Sequence, residues 1–306
     1  MKKRIIIFSV LIVLLIIFFI VLQHVTLKQY RQSFDCLNTT CEITVFSKNP
    51  KAKKIVNKAV LKTQALENEY REEIEEINQK EGTLTISNQL YKLLQLEEKY
   101  QSLWNNNELT SLWKRSLNKS KIPTTEELKK FSLTSVQLLK NRQIKADDFD
   151  LNIDGILSGK ISDEVSTYLE QEGFNSYMIN YGGNITVGKH YKNQFTVSLY
   201  MPITNEYFKT VSGNHLSIYS VGMNDATVIE GIAYTPVINN ETKYPYQHHT
   251  SVTVIDSDPI KAQLLSNLLF SLSLEEGKKI ALEKNVQNVI WVENDQTIEY
   301  LKDMKA

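Results

Sequence analysis

Hydrophobic residues recur along the chain with two different periods. Alternation of apolar and polar residues predicts strands, and apolar residues at helical spacing predict helices. The predicted strands are residues 42–47, 83–87, 175–181, 185–188, 194–202 and 249–255, with a closing hairpin over 288–301. The predicted helices are residues 50–78, 88–100 and 160–173, and a further helix that Asp258 and Pro259 begin. Whether the helix over 88–100 continues into residues 102–115 is left open. Because no low-complexity linker divides these elements, we predict one α+β, mixed α/β domain over residues 31–306.

An apolar run begins at Ile5 and ends at Leu22, and Ser9 is its only polar residue. At about 1.5 Å rise per residue, a helix of this length measures roughly 27 Å, close to the hydrocarbon core of a bilayer. Basic residues precede the run, and such residues stay in the cytoplasm. We therefore expect a cytoplasmic stub and membrane anchor in residues 1–30 and an extracytoplasmic domain after it. A cleaved signal peptide is the alternative, although no small-residue cleavage site follows Leu22.

The charge balance and the two cysteines indicate which partners and metal sites to expect. The chain has 35 basic and 35 acidic residues and no basic stripe, so we expect no nucleic-acid partner. Its two cysteines, Cys36 and Cys41, lie close in the sequence without histidines beside them, which makes a poor zinc site. Outside the cytoplasm they could form a small-loop disulfide, and two buried free thiols are the alternative.

Several segments, taken in order, resemble the FAD:protein FMN transferase family, once called thiamine-biosynthesis lipoproteins. The resemblance extends over roughly residues 34–301. The segments are LNTTCEITVF (37–46), NEYREEIEEIN (68–78), NIDGILSGKISDEV (152–165), INYGGNITVG (179–188), YTPVINNETKYP (234–245) and SVTVIDSDPIKAQLLSNLLFSLSLEEG (251–277). The resemblance implies an enzyme that binds FAD with Mg²⁺ and links FMN covalently to a threonine or serine of a flavoprotein, releasing AMP. With the expected topology, the acceptor would be an extracytoplasmic flavoprotein.

Site residues follow from the resemblance position by position. It implies flavin contacts at Leu37, Tyr70, Asn152, Ser158, Asn180, Gly182, Gly183 and Val237. It implies catalytic roles for Ser158 and Asn239, and Mg²⁺ ligands at Gly155, Gln263, Ser266 and Asn267. Each has a structural alternative: a core-facing tyrosine at 70, a tight turn between two strands at 182–183, and a solvated polar helix face at 263 and 267.

Departures from the family pattern fall on polar site positions. The family's helix aspartate and threonine are replaced by the neutral Gln263 and Asn267, and its lysine is replaced by Ser158. Asn152 and Asn239 stand for aspartates, and Pro236 stands for a histidine. Losing a unit charge beside a dication is worth several kcal/mol at an effective dielectric constant of about 20.

These losses leave two functions open. The first is the transferase, in which nearby carboxylates compensate; the candidates are Asp150, Asp154, Asp256 and Asp258. Each of them has an alternative as a helix cap or surface charge. The second function is a catalytically inactive flavin-binding or scaffold protein on the same fold.

Overall fold

The computed structural model describes residues 27–100, 105–131, 137–145, 151–189, 194–202, 204–223, 226–235, 237–239, 242–286 and 288–301. Within these ranges no helix is both long and apolar enough to cross a membrane. The predicted anchor lies outside the described residues, as do Asp150 and Pro236. The anchor therefore stays a prediction.

Helices and strands alternate along the described chain. The helices are α1 (Ala52–Asn78), α2 (Asn88–Tyr100), α3 (Asn107–Leu117), α4 (Thr125–Lys129), α5 (Asp154–Gln171), α6 (Pro259–Phe270) and α7 (Leu274–Glu283). The first nine strands are β1 (Lys28–Cys36), β2 (Thr39–Ser47), β3 (Thr83–Thr85), β4 (Asn105–Asn106), β5 (Gln137–Leu139), β6 (Gln143–Lys145), β7 (Leu151–Asn152), β8 (Tyr177–Tyr181) and β9 (Asn184–Val187). The remaining strands are β10 (Phe195–Tyr200), β11 (Tyr207–Gly213), β12 (Leu216–Gly222), β13 (Thr227–Ile229), β14 (Ile232–Tyr234), β15 (His249–Asp256), β16 (Asn288–Glu293) and β17 (Ile298–Tyr300).

An eight-stranded sheet forms the centre of the domain. Its order is β1-β2-β8-β9-β12-β15-β16-β17, and every neighbouring pair is antiparallel. The jump from β2 to β8 leaves room in the sequence for helices α1 to α5. Three small sheets lie outside it: β3-β6-β5, β4-β7 and β13-β14, while β10 and β11 pair as a separate hairpin.

Two hydrophobic clusters pack helices against the central sheet. In the larger cluster, α1, α2 and α5 cover β2 and β8, with Ile43, Ile161 and Ile179 fully buried. In the second, α6 and α7 pack on β12, β15 and β16 around Trp291. The β10–β11 hairpin packs on the same sheet through a third group of apolar residues that includes Ile218 and Ile255. The result is a mixed α/β domain, as the sequence predicts.

Local signals in the sequence account for several element ends. Asp258 Oδ1 accepts hydrogen bonds from the N–H groups of Ile260 and Lys261, which caps the first turn of α6 as predicted. Gly173, after α5, has φ of +83°, a conformation that favours glycine at a helix end. Helix α2 runs to Tyr100, and of the continuation that the sequence left open over 102–115, residues 107–115 are helical but belong to a separate helix, α3. Residues 105–106 form β4, and asparagine, a weak helix former, accounts for the break.

Glu97 is a carboxyl group with no hydrogen-bond partner in the described structure, and it lies fully inside the protein on α2. Burial raises its pKa from 4.5 to about 8. Between these two values the folded protein keeps a proton that the unfolded chain loses. The free energy of unfolding should therefore decrease as the pH rises through this window. The destabilisation that Glu97 causes should be smallest below pH 4.5.

We predict that Glu97→Gln, which cannot ionise, flattens this pH dependence. The parent should lose up to about 1.4 kcal/mol of stability per pH unit more than the variant between pH 5 and 8. Urea unfolding at several pH values measures this difference, and the exposed neighbour Glu98→Gln is the matched control. Equal slopes in the parent and in Glu97→Gln would contradict the prediction.

Candidate functional site

A cleft of about 530 Å³ opens where four parts of the fold meet. They are the β1–β2 turn, helix α3, the first turns of α5 and the β8–β9 turn, and Arg71 of α1 and Gln263 of α6 complete the lining. Of the predicted site residues, Leu37, Ser158, Gly182 and Gln263 line this cleft. Segments far apart in the sequence thus converge on one cavity, as the predicted site requires.

Glu67 on α1 holds the β1–β2 turn that forms one wall of the cleft. Its Oε2 accepts from the Leu37 N–H at 2.9 Å and from the Cys36 thiol at 2.7 Å, and its Oε1 accepts from Arg71 Nε at 2.7 Å. Burial opposes ionisation of Glu67, but these three donors outweigh it and lower its pKa. Leu37 and Asn38 have φ of +55° and +57°, so the turn is a strained one that Glu67 stabilises.

Arg71 separates the cleft from a second cavity. Its Nη1 lies 3.4 Å from Asp154 Oδ1, and both residues line the cleft and also the neighbouring cavity of about 440 Å³. Burial works against the charge on Arg71, but Glu67 and Asp154 raise its pKa. Asn152 lines the second cavity, and its Oδ1 accepts from the Asp154 N–H at 2.8 Å. A guanidinium group is therefore held between two adjacent cavities.

The paired glycines form the two-residue turn between β8 and β9. Gly182 and Gly183 have φ of +62° and +95°, which the tight hairpin turn requires and which side chains rarely adopt. A Cβ atom at Gly182 would lie 2.8 Å from Thr39 Cγ2, whereas one at Gly183 would meet nothing within 4 Å. Asn180 Oδ1 accepts from the Gly183 N–H at 2.8 Å and so braces the turn. The tight-turn alternative is what the structure shows, and contact of the turn with a flavin stays a prediction.

Amide side chains from α6 hydrogen-bond to the first turns of α5. Gln263 Nε2 donates to the Asp154 carbonyl oxygen at 3.0 Å, while its Oε1 accepts from the Gly159 N–H at 2.6 Å. Asn267 Nδ2 donates to the Gly155 carbonyl oxygen at 2.7 Å. Gln263 is only 6% exposed, so the predicted alternative of a solvated polar face is wrong at this position.

The other predicted metal ligand on α6, Ser266, is fully buried. Its Oγ donates to the carbonyl oxygen of Gln263 at 2.8 Å, within its own helix. The helices are close because residue 159 has no side chain: a Cβ there would lie 2.7 Å from the Pro259 carbonyl oxygen and 2.9 Å from Gln263 Oε1. No group of three or more histidine, cysteine, aspartate or glutamate side chains that could hold a metal ion occurs among the described residues.

Eight of the predicted site residues do not line the cleft or the second cavity: Tyr70, Gly155, Asn180, Gly183, Val237, Asn239, Ser266 and Asn267. Tyr70 is 2% exposed and belongs to the larger hydrophobic cluster, so its position favours the core-facing alternative. Val237 packs at the edge of the second cluster. Asn239 lies in a turn where its Oδ1 accepts from the Thr242 N–H at 3.0 Å. That turn reaches the cleft only indirectly, because the carbonyl oxygen of Lys243 accepts from Trp113 Nε1 at 2.8 Å.

The two cysteines are free and buried, so the thiol alternative is the one observed. Cys41 Sγ donates to the Cys36 carbonyl oxygen at 3.3 Å. Hydrogen bonding with Cys41, burial and the neighbouring Glu67 all raise the pKa of Cys36. Cys36 is therefore not poised as a thiolate.

The described carboxylates near the vacated positions are already engaged. Asp256 Oδ2 pairs with Lys261 Nζ at 2.7 Å, and Asp258 caps α6. Asp154 faces Arg71, as described above. The cap and surface-charge alternatives are thus observed at 256 and 258, and Asp154 is the one of these three that lines the cleft.

Sequence reasoning missed several cleft-lining residues. Arg71, Lys114 and Trp113 all line the cleft. Arg71 stands directly after Tyr70, in a segment that resembles the family, but its charge is indistinguishable by sequence from those of a solvated helix face. Lys114 and Trp113 come from α3, where the family pattern has no clear counterpart. Only the packing of α3 against α4 and the β13–β14 hairpin, in a hydrophobic cluster of its own, brings them to the site.

A family model described as the ApbE family matches residues 37–291. That range is most of the chain and contains all the cleft-lining residues named above. The chain belongs to the ApbE family. The membership confirms the resemblance that the sequence segments indicate.

Curated relatives and solved structures agree with this assignment. A FAD:protein FMN transferase of Klebsiella pneumoniae is 23% identical over 201 residues, covering 62% of this chain and 62% of the relative. One from Buchnera aphidicola is 25% identical over 150 residues, covering 46% and 43%. The chain thus aligns with less than two thirds of the length of either relative.

Two crystal structures show the same fold. The ApbE protein of Thermotoga maritima superposes with a TM-score of 0.75 at 17% identity, covering 89% of this chain and 97% of that one. The flavin transferase ApbE of Vibrio cholerae superposes with a TM-score of 0.72 at 18% identity, covering 90% and 96%. At these identities the likeness establishes the fold of this ApbE-family chain.

We predict that Gly182→Ala destabilises this ApbE-family protein more than Gly183→Ala does. Both substitutions carry the cost of a positive φ, about 1 kcal/mol, but only residue 182 also meets Thr39. The clash should add roughly 1–3 kcal/mol. Urea unfolding of the two variants beside the parent measures the difference, and equal losses would show that Thr39 yields without cost.

Proposed function

We propose that this protein binds FAD in the cleft and transfers FMN to a threonine or serine hydroxyl of a flavoprotein acceptor. The hydroxyl oxygen attacks the FMN-side phosphorus, the bond from that phosphorus to the bridging oxygen breaks, and AMP leaves. The hydroxyl proton is released in the same exchange. Two findings support the proposal: the curated relatives are named FAD:protein FMN transferases, and the family segments form one cleft.

The observation that carries the proposal is the convergence of the family segments on one cavity. Leu37, Ser158, Gly182 and Gln263 come from four separate segments and line the same cleft. The second cavity lies beyond Arg71, and each of the two cavities has the size of a small-molecule pocket. An elongated ligand with charge near its middle fits this arrangement.

Two cations line the cleft and would face such a charge. Arg71 is held in place by Glu67 and Asp154, and Lys114 reaches the cleft from α3. A pyrophosphate group carries negative charge that arginine and lysine side chains bind well. We assign these two residues to the diphosphate of FAD, and Ser158, which lines the cleft, to the substrate-facing wall.

Mg²⁺, which the family resemblance implies, does not fit the residues that would hold it here. Gln263 and Asn267 present amide hydrogens to the carbonyl oxygens of Asp154 and Gly155, where a cation needs oxygen ligands alone. The proposal therefore contains no step through a metal ion at this place.

We propose further that the domain lies outside the cytoplasm behind the anchor that runs from Ile5 to Leu22. The basic residues before the apolar run support this orientation. The acceptor would then be an extracytoplasmic flavoprotein. Fusing a reporter enzyme that is active only outside the cytoplasm to the end of the chain tests this topology.

We predict covalent transfer in a defined mixture. The full-length chain in detergent, FAD and a flavoprotein domain with the family's target threonine should yield a mass increment equal to FMN on that domain. Intact-mass spectrometry measures the increment, and an acceptor with valine at the target position is the control. FAD binding without any increment would replace the proposal with a flavin-binding protein that does not transfer.

We predict that Lys114→Gln weakens FAD binding while Lys119→Gln, at an exposed position after the same helix, does not. Loss of one charge contact of about 1 kcal/mol corresponds to a roughly fivefold higher Kd. The variant should also show a weaker dependence of Kd on salt concentration. Flavin fluorescence titration measures both quantities. An unchanged Kd and salt dependence would remove Lys114 from the site.

A further inference from the structure

We infer that hydrogen bonds from Gln263 and Asn267 replace a divalent cation between α5 and α6, so that the cleft takes its flavin nucleotide without a metal there. The inference rests on the proposed function only for the identity of the nucleotide. Its structural part concerns the helix contact alone, and that part can be tested without any flavin.

The orientation of the Gln263 amide follows from its neighbours. The backbone N–H of Gly159 can only donate, so the amide oxygen must face it, at 2.6 Å. The amide nitrogen then points the other way, to the Asp154 carbonyl oxygen, which can only accept. Gln263 therefore uses its oxygen as an acceptor and its nitrogen as a donor, both toward the backbone of α5.

Asn267 is oriented by the same logic. The Gly155 carbonyl oxygen can only accept, so the Asn267 nitrogen must face it, at 2.7 Å. A metal ion at this place would need the carbonyl oxygen and its other oxygen ligands to lie about 2.0–2.6 Å from the ion. The NH₂ group of Asn267 instead lies directly in front of the carbonyl. Its nitrogen would be 3.4 Å from a Cβ atom at residue 155.

The three described carboxylates that stand closest in sequence to the vacated positions already have partners. Asp154 pairs with Arg71, Asp256 pairs with Lys261, and Asp258 caps α6. Mg²⁺ sites in proteins usually include at least one carboxylate. A neutral pair of amides gives the same cross-link between α5 and α6 through hydrogen bonds, at no cost in metal desolvation.

The test uses thermal unfolding of the full-length chain in detergent, with MgCl₂ or EDTA and without flavin. We expect the Tm of the parent to differ by less than about 1 °C between EDTA and about 10 mM Mg²⁺. We expect the isosteric Gln263→Glu to lower the Tm in EDTA, because a carboxylate oxygen would replace the donor to the Asp154 carbonyl. Mg²⁺ should then raise the Tm of this variant in a saturable way.

Gln89→Glu, the same substitution at an exposed position of α2, is the control and should leave the Tm unchanged in both conditions. Asn267→Asp, at a half-buried position, likewise replaces an amide by a carboxylate, here opposite the Gly155 carbonyl. It is the second test variant, used if Gln263→Glu does not fold. A saturable Mg²⁺-dependent rise in the Tm of the parent would overturn the inference. So would an unchanged Tm of both amide variants in EDTA.

A second arm adds FAD and separates this inference from the proposed function. Equal stabilisation of the parent by FAD in EDTA and in Mg²⁺ supports the inference, and stabilisation that EDTA abolishes overturns it. Absence of any FAD effect in both conditions would contradict the proposed function, while the flavin-free measurements would still decide the question of the cation.

Discussion

The close contact between α5 and α6 is the constraint on which the rest of the domain depends. Gly159 lets the backbone of α5 approach Pro259 and Gln263 at distances that no side chain would permit. Helix α6 lies between the two main hydrophobic clusters, because Leu264 belongs to one and Leu265 to the other. The contact therefore joins the half of the sheet under α1 and α5 to the half under α6 and α7.

The cleft is a consequence of that contact together with two strained turns. The β1–β2 turn is held by Glu67, and the β8–β9 turn packs its Gly182 against Thr39 from the first turn's strand. The first turn of α5 lies beside them and directs Asp154 toward Arg71. Charge in the cleft is thus set by side chains on helices, while its shape is set by backbone conformations that only short turns supply.

This ApbE-family protein has the fold of its family, but a neutral side chain stands at a site position where the family pattern has a charged one. Where the family pattern has a charged helix position, Gln263 makes two directional hydrogen bonds to the backbone of α5. Such bonds need donors and acceptors at fixed angles, so they preserve the spacing of the two helices without a charge. The contact between the two helices is therefore made without a charged side chain at this position.

The amino-acid sequence by itself determined many of the elements and some of their ends. Periodicity located α1, α2 and several strands, Asp258 marked the start of α6, and Gly173 marked the end of α5, whereas β1, β11 and β12 were not predicted. These are local effects, because caps, turns and amphipathic faces depend on residues a few positions apart. The family segments also indicated which parts of the chain build the site.

Only the tertiary structure decided which side chains the site contains. It placed Tyr70 in the core, Asn239 in a turn outside the cleft, and Arg71 between the two cavities. It also showed the Gln263 amide buried against α5 instead of solvated. The reason is physical: spacing along a helix tells which residues share a face, but what that face meets depends on the packing of elements distant in sequence.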